Sequence, residues 1–212
     1  MKFRKFDIIT SITAFLFLLL LVLILVVDVR VNELTGEKIG LFELNNVFLK
    51  NTINHTFDII SDIILDISVG CIIFYMIMGL IQIFKKNEPS NEIIFIGIMM
   101  IVIIVIWIVF DKFIIINHRP IYITMELEGS FPSTHVIITT FVMLVNIALV
   151  SKNIKKKNLR IALYIANGVV ILASPICRLL SNVHWFTDIL GGVLLGALLF
   201  ELYYIIIRKK DK

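Results

Sequence analysis

At 212 residues, 59% of them hydrophobic, and with a mean hydropathy of +0.98, the chain is too apolar for a water-soluble domain, which is usually just under half apolar. Its net charge of +4 does not make it a nucleic-acid binder, because most basic residues flank apolar runs instead of striping a polar face. Cys71 lies well inside an apolar run and Cys177 at the end of one, so they do not read as a disulfide pair, and no spacing suggests zinc. No Pro/Gly/Ser-rich linker divides the chain, so residues 1–212 read as one integral membrane domain.

Ile8–Val27 is the first apolar run, long enough to cross a ~30 Å hydrocarbon core. It follows a basic start, as a signal peptide would. It exceeds a signal core in length, however, and offers no small-residue cleavage site, so a retained anchor is expected. Between Asp28 and Asp62 lies a long connection. Its Leu41, Leu44, Val47 and Phe48 recur at helical spacing, which leaves two readings: a short amphipathic helix on the membrane surface, or an irregular loop.

Five more runs follow: Ile63–Phe84, Ile93–Phe110, Val136–Val150, Ile161–Ile176 and Trp185–Ile207. Lipid leaves no partner for backbone polar groups, and the runs lack the alternation of a barrel strand, so they are expected to be helices. The fold class is all-α, a six-span transmembrane bundle. In that arrangement most of the 20 basic residues, from Lys2 to Lys212, fall on one side. The positive-inside rule makes that side cytoplasmic and puts both termini there. Trp107 and Trp185 fall at the opposite span ends, where interfacial aromatics belong.

Three polar clusters interrupt the oil, all on that opposite side. They are Lys112 with Arg119-Pro120, then Pro132-Ser133-Thr134-His135, then Arg178 with His184 and Asp188. A phosphoryl group in flight spreads negative charge over its oxygens, so fixed cations are the main need. Lys112, Arg119 and Arg178 supply them, the arginines with paired donors. Ser133 adds a hydroxyl, and the backbone N–H groups that open the fourth span, Thr134 among them, add dipolar stabilisation. Asp188 follows His184 by one helical turn, where a carboxylate fixes an imidazole tautomer.

These clusters resemble the three-part signature of the type-2 phosphatidic acid phosphatase superfamily: Lys-x6-Arg-Pro, Pro-Ser-Gly-His and Ser-Arg-x5-His-x3-Asp. The resemblance spans residues 112–188 in order, together with the six-span layout. It implies a membrane lipid phosphatase, similar to bacterial undecaprenyl pyrophosphate phosphatases and phosphatidylglycerophosphatases. By that likeness His184 attacks phosphorus to form a phosphohistidine, His135 protonates the departing lipid oxygen, and water completes hydrolysis. Neither a metal nor another cofactor is implied, and no obligate protein partner is evident. The expected partners are a lipid phosphate and the bilayer, with the site facing outside the cell membrane. Undecaprenyl pyrophosphate is the leading substrate, then phosphatidylglycerol phosphate and phosphatidic acid. Two other readings stay open: transfer of a phospho-headgroup to an alcohol, and a non-catalytic lipid-phosphate binder or transporter.

Thr134 stands where the family has glycine, and Cys177 where it has serine. Were positive φ needed at 134, a β-branched residue would be strained; a first helical turn tolerates threonine, and that is expected. Losing the serine hydroxyl at 177 is expected to weaken phosphate binding without abolishing chemistry. His55 and His118 match no motif position and read as solvated loop residues. Asp58, Asp62 and Asp66 repeat every four residues. They therefore share a helix face; the second span is expected to begin near Ile63, leaving the first two in water and Asp66 hydrogen-bonded within the bundle, against a role shaping the substrate mouth or countering the arginines. Lys155-Lys156-Lys157 is expected to set topology and touch anionic lipid.

Overall fold

The computed structural model describes residues 2–33, 35–50, 52–86, 88–121 and 128–210; Lys212, counted above in the basic tail, lies outside them. Among the described residues six helices are long and apolar enough to cross a membrane, and the chain is a multi-pass, all-α membrane protein. They are α1 (Lys2–Val26), α3 (His55–Lys86), α4 (Asn91–Ile108), α5 (Thr134–Asn153), α6 (Lys157–Leu180) and α7 (Phe186–Lys210), with the short α2 (Phe42–Asn46) between the first two spans. A π-helical turn, Val109–Phe113, extends α4. The fourth and fifth spans are longer than their apolar runs because the helices continue through the flanking residues, polar ones among them.

α5 and α7 form the centre. Nearly half of each is buried inside the protein, whereas the other four spans leave most of their surface for lipid. Small residues let these two backbones meet. A Cβ on Gly192 would stand 2.8 Å from the Ser133 carbonyl oxygen, and one on Gly196 would stand 2.9 Å from that of Ile137. Gly-x3-Gly spacing of this kind brings helices into backbone contact within lipid. Gly191 likewise leaves room for the Phe131 ring, which stacks near Phe17 and meets Phe110 edge-on. This aromatic cluster pins the segment just before α5 against α7, and that segment carries Ser133.

α3 contains 32 residues, on the order of a dozen more than the ~20 needed to cross the core. The surplus lies mainly before Ile63, so Asp58 and Asp62 belong to the helix and not to the preceding loop. Hydropathy marks where lipid begins; it does not mark where helix begins. Asp66 is exposed on the helix surface and not tied into the bundle.

The connection between α1 and α3 holds a two-stranded antiparallel ribbon, β1 (Arg30–Val31) with β2 (Lys38–Ile39), pairing Arg30 with Ile39 and Val31 with Lys38. The helix expected there exists but has five residues, and its buried residue is polar. Asn45 donates to the Gly40 carbonyl and to Thr187 Oγ1 and accepts from the Thr187 N–H. Leu44, Val47 and Phe48 stay exposed. Polar anchoring onto the start of α7, together with the buried Ile39 and the stacking of Phe48 on Phe186, holds this connection down.

Candidate active site

The site is assembled from helix ends. α3, α5 and α7 begin at one end of the bundle, and α4 and α6 finish there, as alternating spans require. Three connections then shape it.

The first joins α4 to α5 and folds back on itself. His118 and Gly129 form an isolated antiparallel bridge, the Arg119 N–H donates to the Glu128 carbonyl, and the Ser130 N–H donates to that of Asn117. This bracket aims Arg119 inward. Its Nε donates to Glu128 Oε2 at 2.9 Å and its Nη1 to the Val183 carbonyl at 3.4 Å. Lys112 sits on the π-helical turn, paired with Asp111 at 2.8 Å and largely exposed at the rim.

The second is the start of α5. Ser133 is its N-cap residue, with extended backbone, and Thr134 is its first helical residue. Thr134 is absent from the described non-glycine residues with positive φ, which are Asp28, Leu41 and Asn182. Glycine is therefore not needed at 134, and a first-turn threonine keeps its N–H available. The Ser133 N–H donates to the Asp188 carbonyl at 3.0 Å, which ties α5 to α7.

The third is the turn from α6 to α7. α6 stops where Asn182 takes a left-handed conformation at φ 62°, one that asparagine tolerates and helix C-termini use. The Asn182 side chain accepts from the Lys50 N–H and donates to the Thr52 carbonyl. His184 follows in the turn, before the first residue of α7, so it and Asp188 do not share a helix as their spacing suggested. Asp188 is fully buried and occupies the third position of α7. Its Oδ2 accepts from the Trp185 N–H at 3.0 Å and its Oδ1 from Asn117 Nδ2 at 3.0 Å. The first of these is half of a capping box. Oδ2 also stands 3.5 Å from His184 Nδ1, too long for a strong hydrogen bond.

Trp185 stands at a span end but faces the protein interior, not lipid. Its ring is buried, and its indole N–H donates to the His118 carbonyl at 2.7 Å. His118 is accordingly part of the scaffold: its Nδ1 stands 3.5 Å from Glu37. His55 is exposed, as expected, but it opens α3 instead of lying in a loop.

A cavity of about 380 Å³ opens among these parts, walled by Lys112, Arg119, Thr134, His135 and His184, with Trp107 at its edge. Ser133, Arg178 and Asp188, from the same helix ends, are buried. Ser133 Oγ, Arg178 Nε and His184 Nδ1 are buried without a hydrogen-bond partner among the described residues. Unmade polar groups of this kind are costly in a folded protein and concentrate at functional sites. Burial, reinforced by the nearby charges of Arg178 and Arg119, holds the His184 pKa well below its ordinary value. The imidazole is neutral at pH 7, with a lone pair to offer.

All eight residues singled out from the sequence thus gather at one end of the bundle. Others join them. Asp58 accepts from Arg178 Nη1 at 2.7 Å, and Ser61 Oγ accepts from the same nitrogen at 3.0 Å. Asp62 Oδ1 lies 3.1 Å from His135 Nε2. These aspartates counter the arginine, against the expectation that water alone would surround them; their four-residue repeat was the available signal. Asn117 and Glu128 had none beyond their place beside the signature. Cys71 and Cys177 are free thiols. Among the described residues no group of three or more His, Cys, Asp or Glu is placed to hold a metal ion.

A family model described as the PAP2 superfamily matches residues 67–212. A solved structure, that of a transmembrane PAP2-type phosphatidylglycerolphosphate phosphatase from Bacillus subtilis, is similar in fold. The TM-score is 0.53 at 22% identity, over 81% of this chain and 93% of that one. No curated protein matches the chain.

Proposed function

This chain belongs to the PAP2 superfamily, and on that premise we propose that it is a membrane lipid phosphatase working through a phosphohistidine. The observation that carries this reading is the meeting of His184 and His135 on one cavity with Arg119, His184 being held neutral. In the first step His184 Nε2 forms a bond to phosphorus while the bond from phosphorus to the lipid oxygen breaks. His135 gives its proton to that oxygen. In the second step water attacks phosphorus, the N–P bond breaks, and the water proton returns to His135.

Arg119, Arg178 and Lys112 hold the phosphoryl oxygens, joined by the Ser133 hydroxyl and the N–H groups that open α5, including that of Thr134. Asp188 orients the turn that presents His184. No step calls for a metal.

The basic residues at the other end of the spans favour an active site outside the cytoplasm, in the cell membrane. A cavity at span ends, beside Trp107, suits an amphiphile whose phosphate lies at headgroup level. Undecaprenyl pyrophosphate is the leading substrate. Phosphatidylglycerol phosphate is the alternative, prompted by what the similar solved protein acts on.

The test is phosphate release by the purified chain across lipid mono- and diphosphates, with acid-quenched trapping of labelled phosphohistidine. Release that persists in chelator and disappears in His184→Ala supports the reading. Phosphate that moves to an added alcohol instead of water would make it a transferase; tight binding without turnover would make it a binder. Labelling single cysteines near positions 112 and 184 from outside intact cells tests the orientation.

A further inference from the structure

Two carboxylates outside the signature reach into the same cluster from the first turns of α3. Asp58 Oδ1 is 2.7 Å from Arg178 Nη1, in a pair whose side chains are 29% and 5% exposed. Asp62 Oδ1 is 3.1 Å from His135 Nε2 and 3.7 Å from Arg178 Nη1. One carboxylate oxygen therefore sits between the imidazole and the guanidinium, where an oxygen of a bound phosphate ester would also be drawn.

We propose that Asp58 and Asp62 are positioning residues of this site: Asp58 sets the Arg178 guanidinium, and Asp62 holds the Nε2 proton of His135 until the lipid's leaving oxygen takes its place. This rests on the phosphatase reading and adds to it what prepares the proton donor.

Exposure separates the two roles. Arg178 is buried, and a buried charge stripped of its partner is strongly disfavoured, so the Asp58 contact persists through the cycle. Asp62 is 56% exposed, and exposed ion pairs contribute little, so its carboxylate swings into water at small cost. A carboxylate only accepts hydrogen bonds, so the nitrogen facing it must carry the proton. Asp62 thereby favours the imidazolium form of His135 with its Nε2–H pointing into the cavity, so that giving up that proton leaves a neutral ring. When the ester enters, that N–H turns from the Asp62 oxygen to the ester oxygen and delivers its proton as the P–O bond breaks. The electron pair of that bond leaves with the oxygen, and a neutral alcohol departs.

The readout is dependence on the leaving group, which a merely structural role would not change. Wild-type full-length protein in detergent is given two substrates of similar chain length. One is a dialkylglycerol phosphate, whose alkoxide needs a proton; the other is an alkyl-substituted nitrophenyl phosphate, whose phenoxide does not. Asp62→Asn is expected to lower kcat/KM for the alkyl ester about tenfold or more, and for the aryl ester less than about threefold. Asp62→Glu is expected to recover part of the alkyl activity. Asp58→Asn is expected to weaken both substrates alike, through KM. Equal losses on both esters in Asp62→Asn, or none on either, overturn the role of Asp62. An unchanged KM in Asp58→Asn overturns that of Asp58. A wild type inert on both esters overturns the phosphatase reading itself, a result distinct from any selective loss in the variants.

Discussion

His184 Nδ1 and Asp188 Oδ2 stand 3.5 Å apart, while the same carboxylate makes 3.0 Å contacts to the Trp185 N–H and the Asn117 amide. Asp188 therefore acts first on the turn that carries His184 and only second on the imidazole. Asp188→Asn would retain an acceptor for one of these donors but set an amide N–H against that of Asn117. The expected outcome is a fall in phosphohistidine formation of about 10- to 100-fold, short of the ~10⁴ lost when a tautomer-fixing aspartate is removed from a catalytic triad. KM should change little. Rapid-quench measurement of the labelled phosphoenzyme checks this, and an undiminished rate would remove Asp188 from the mechanism.

Burial of a neutral His184 makes stability depend on pH. Its pKa in the folded chain lies well below the ordinary 6.5. Above that value the ring is neutral folded or unfolded, and pH has no leverage through it. As pH falls below 6.5, the unfolded chain takes up a proton that the folded chain refuses, so stability falls. The apparent unfolding temperature of wild type should drop more steeply between pH 7 and 5 than that of His184→Gln, which cannot titrate. Parallel slopes would show that the ring is not held neutral.

The spans were legible because lipid permits few alternatives: an apolar run of membrane length must be helix. That the eight candidate residues gather at one end of the bundle was legible because their spacing survives as a pattern in one dimension. What escaped lay where the chemistry depends on distant partners. Asp58 and Asp62 precede the apolar run and were expected in water, although α3 continues through them. Trp185 looked interfacial because it opens an apolar run, but its N–H has a carbonyl to meet 67 residues away. Asn117 and Glu128 reach their partners only through the fold of the connection between α4 and α5. The Gly192–Gly196 contact was written in the sequence as a spacing of small residues, yet only the structure shows which helix lies across it.

Thr134 offers a way to separate the helix from its first donor. Position 134 opens α5, after a residue with φ −62° and ψ 110°, a conformation compatible with a following proline. Thr134→Gly keeps the N–H and should leave kcat/KM within about threefold, since φ is not restrictive there. Thr134→Pro keeps the helix, because the first helical position suits proline, but removes the N–H proposed to meet phosphate. It should raise KM several-fold, on the order of the ~1 kcal/mol of one hydrogen bond, with an unchanged unfolding temperature. A Thr134→Pro protein with wild-type KM would show that this N–H does not touch substrate.

Gly192 and Gly196 connect the packing of the bundle to the geometry of the site. A side chain at 192 meets the Ser133 carbonyl at 2.8 Å and Val136 Cβ at 2.9 Å; one at 196 meets the Ile137 carbonyl at 2.9 Å and Thr140 Cβ at 2.9 Å. The obstacles are backbone and β-carbons, which do not swing aside, so α5 and α7 must separate. Gly192 lies one turn from Asp188, whose carbonyl accepts the Ser133 N–H; Gly196 lies a further turn away. Overpacking of this kind costs about 1–3 kcal/mol, and both Gly192→Val and Gly196→Val should lower the unfolding temperature by similar amounts. Activity should not follow stability. Gly192→Val displaces Ser133 relative to His184 and should lose most turnover, whereas Gly196→Val, with its strain deeper in the bundle, should retain more. Phosphate release measured below both unfolding temperatures decides it. Equal activities in the two variants would show that the α5–α7 contact supports the fold without setting the site.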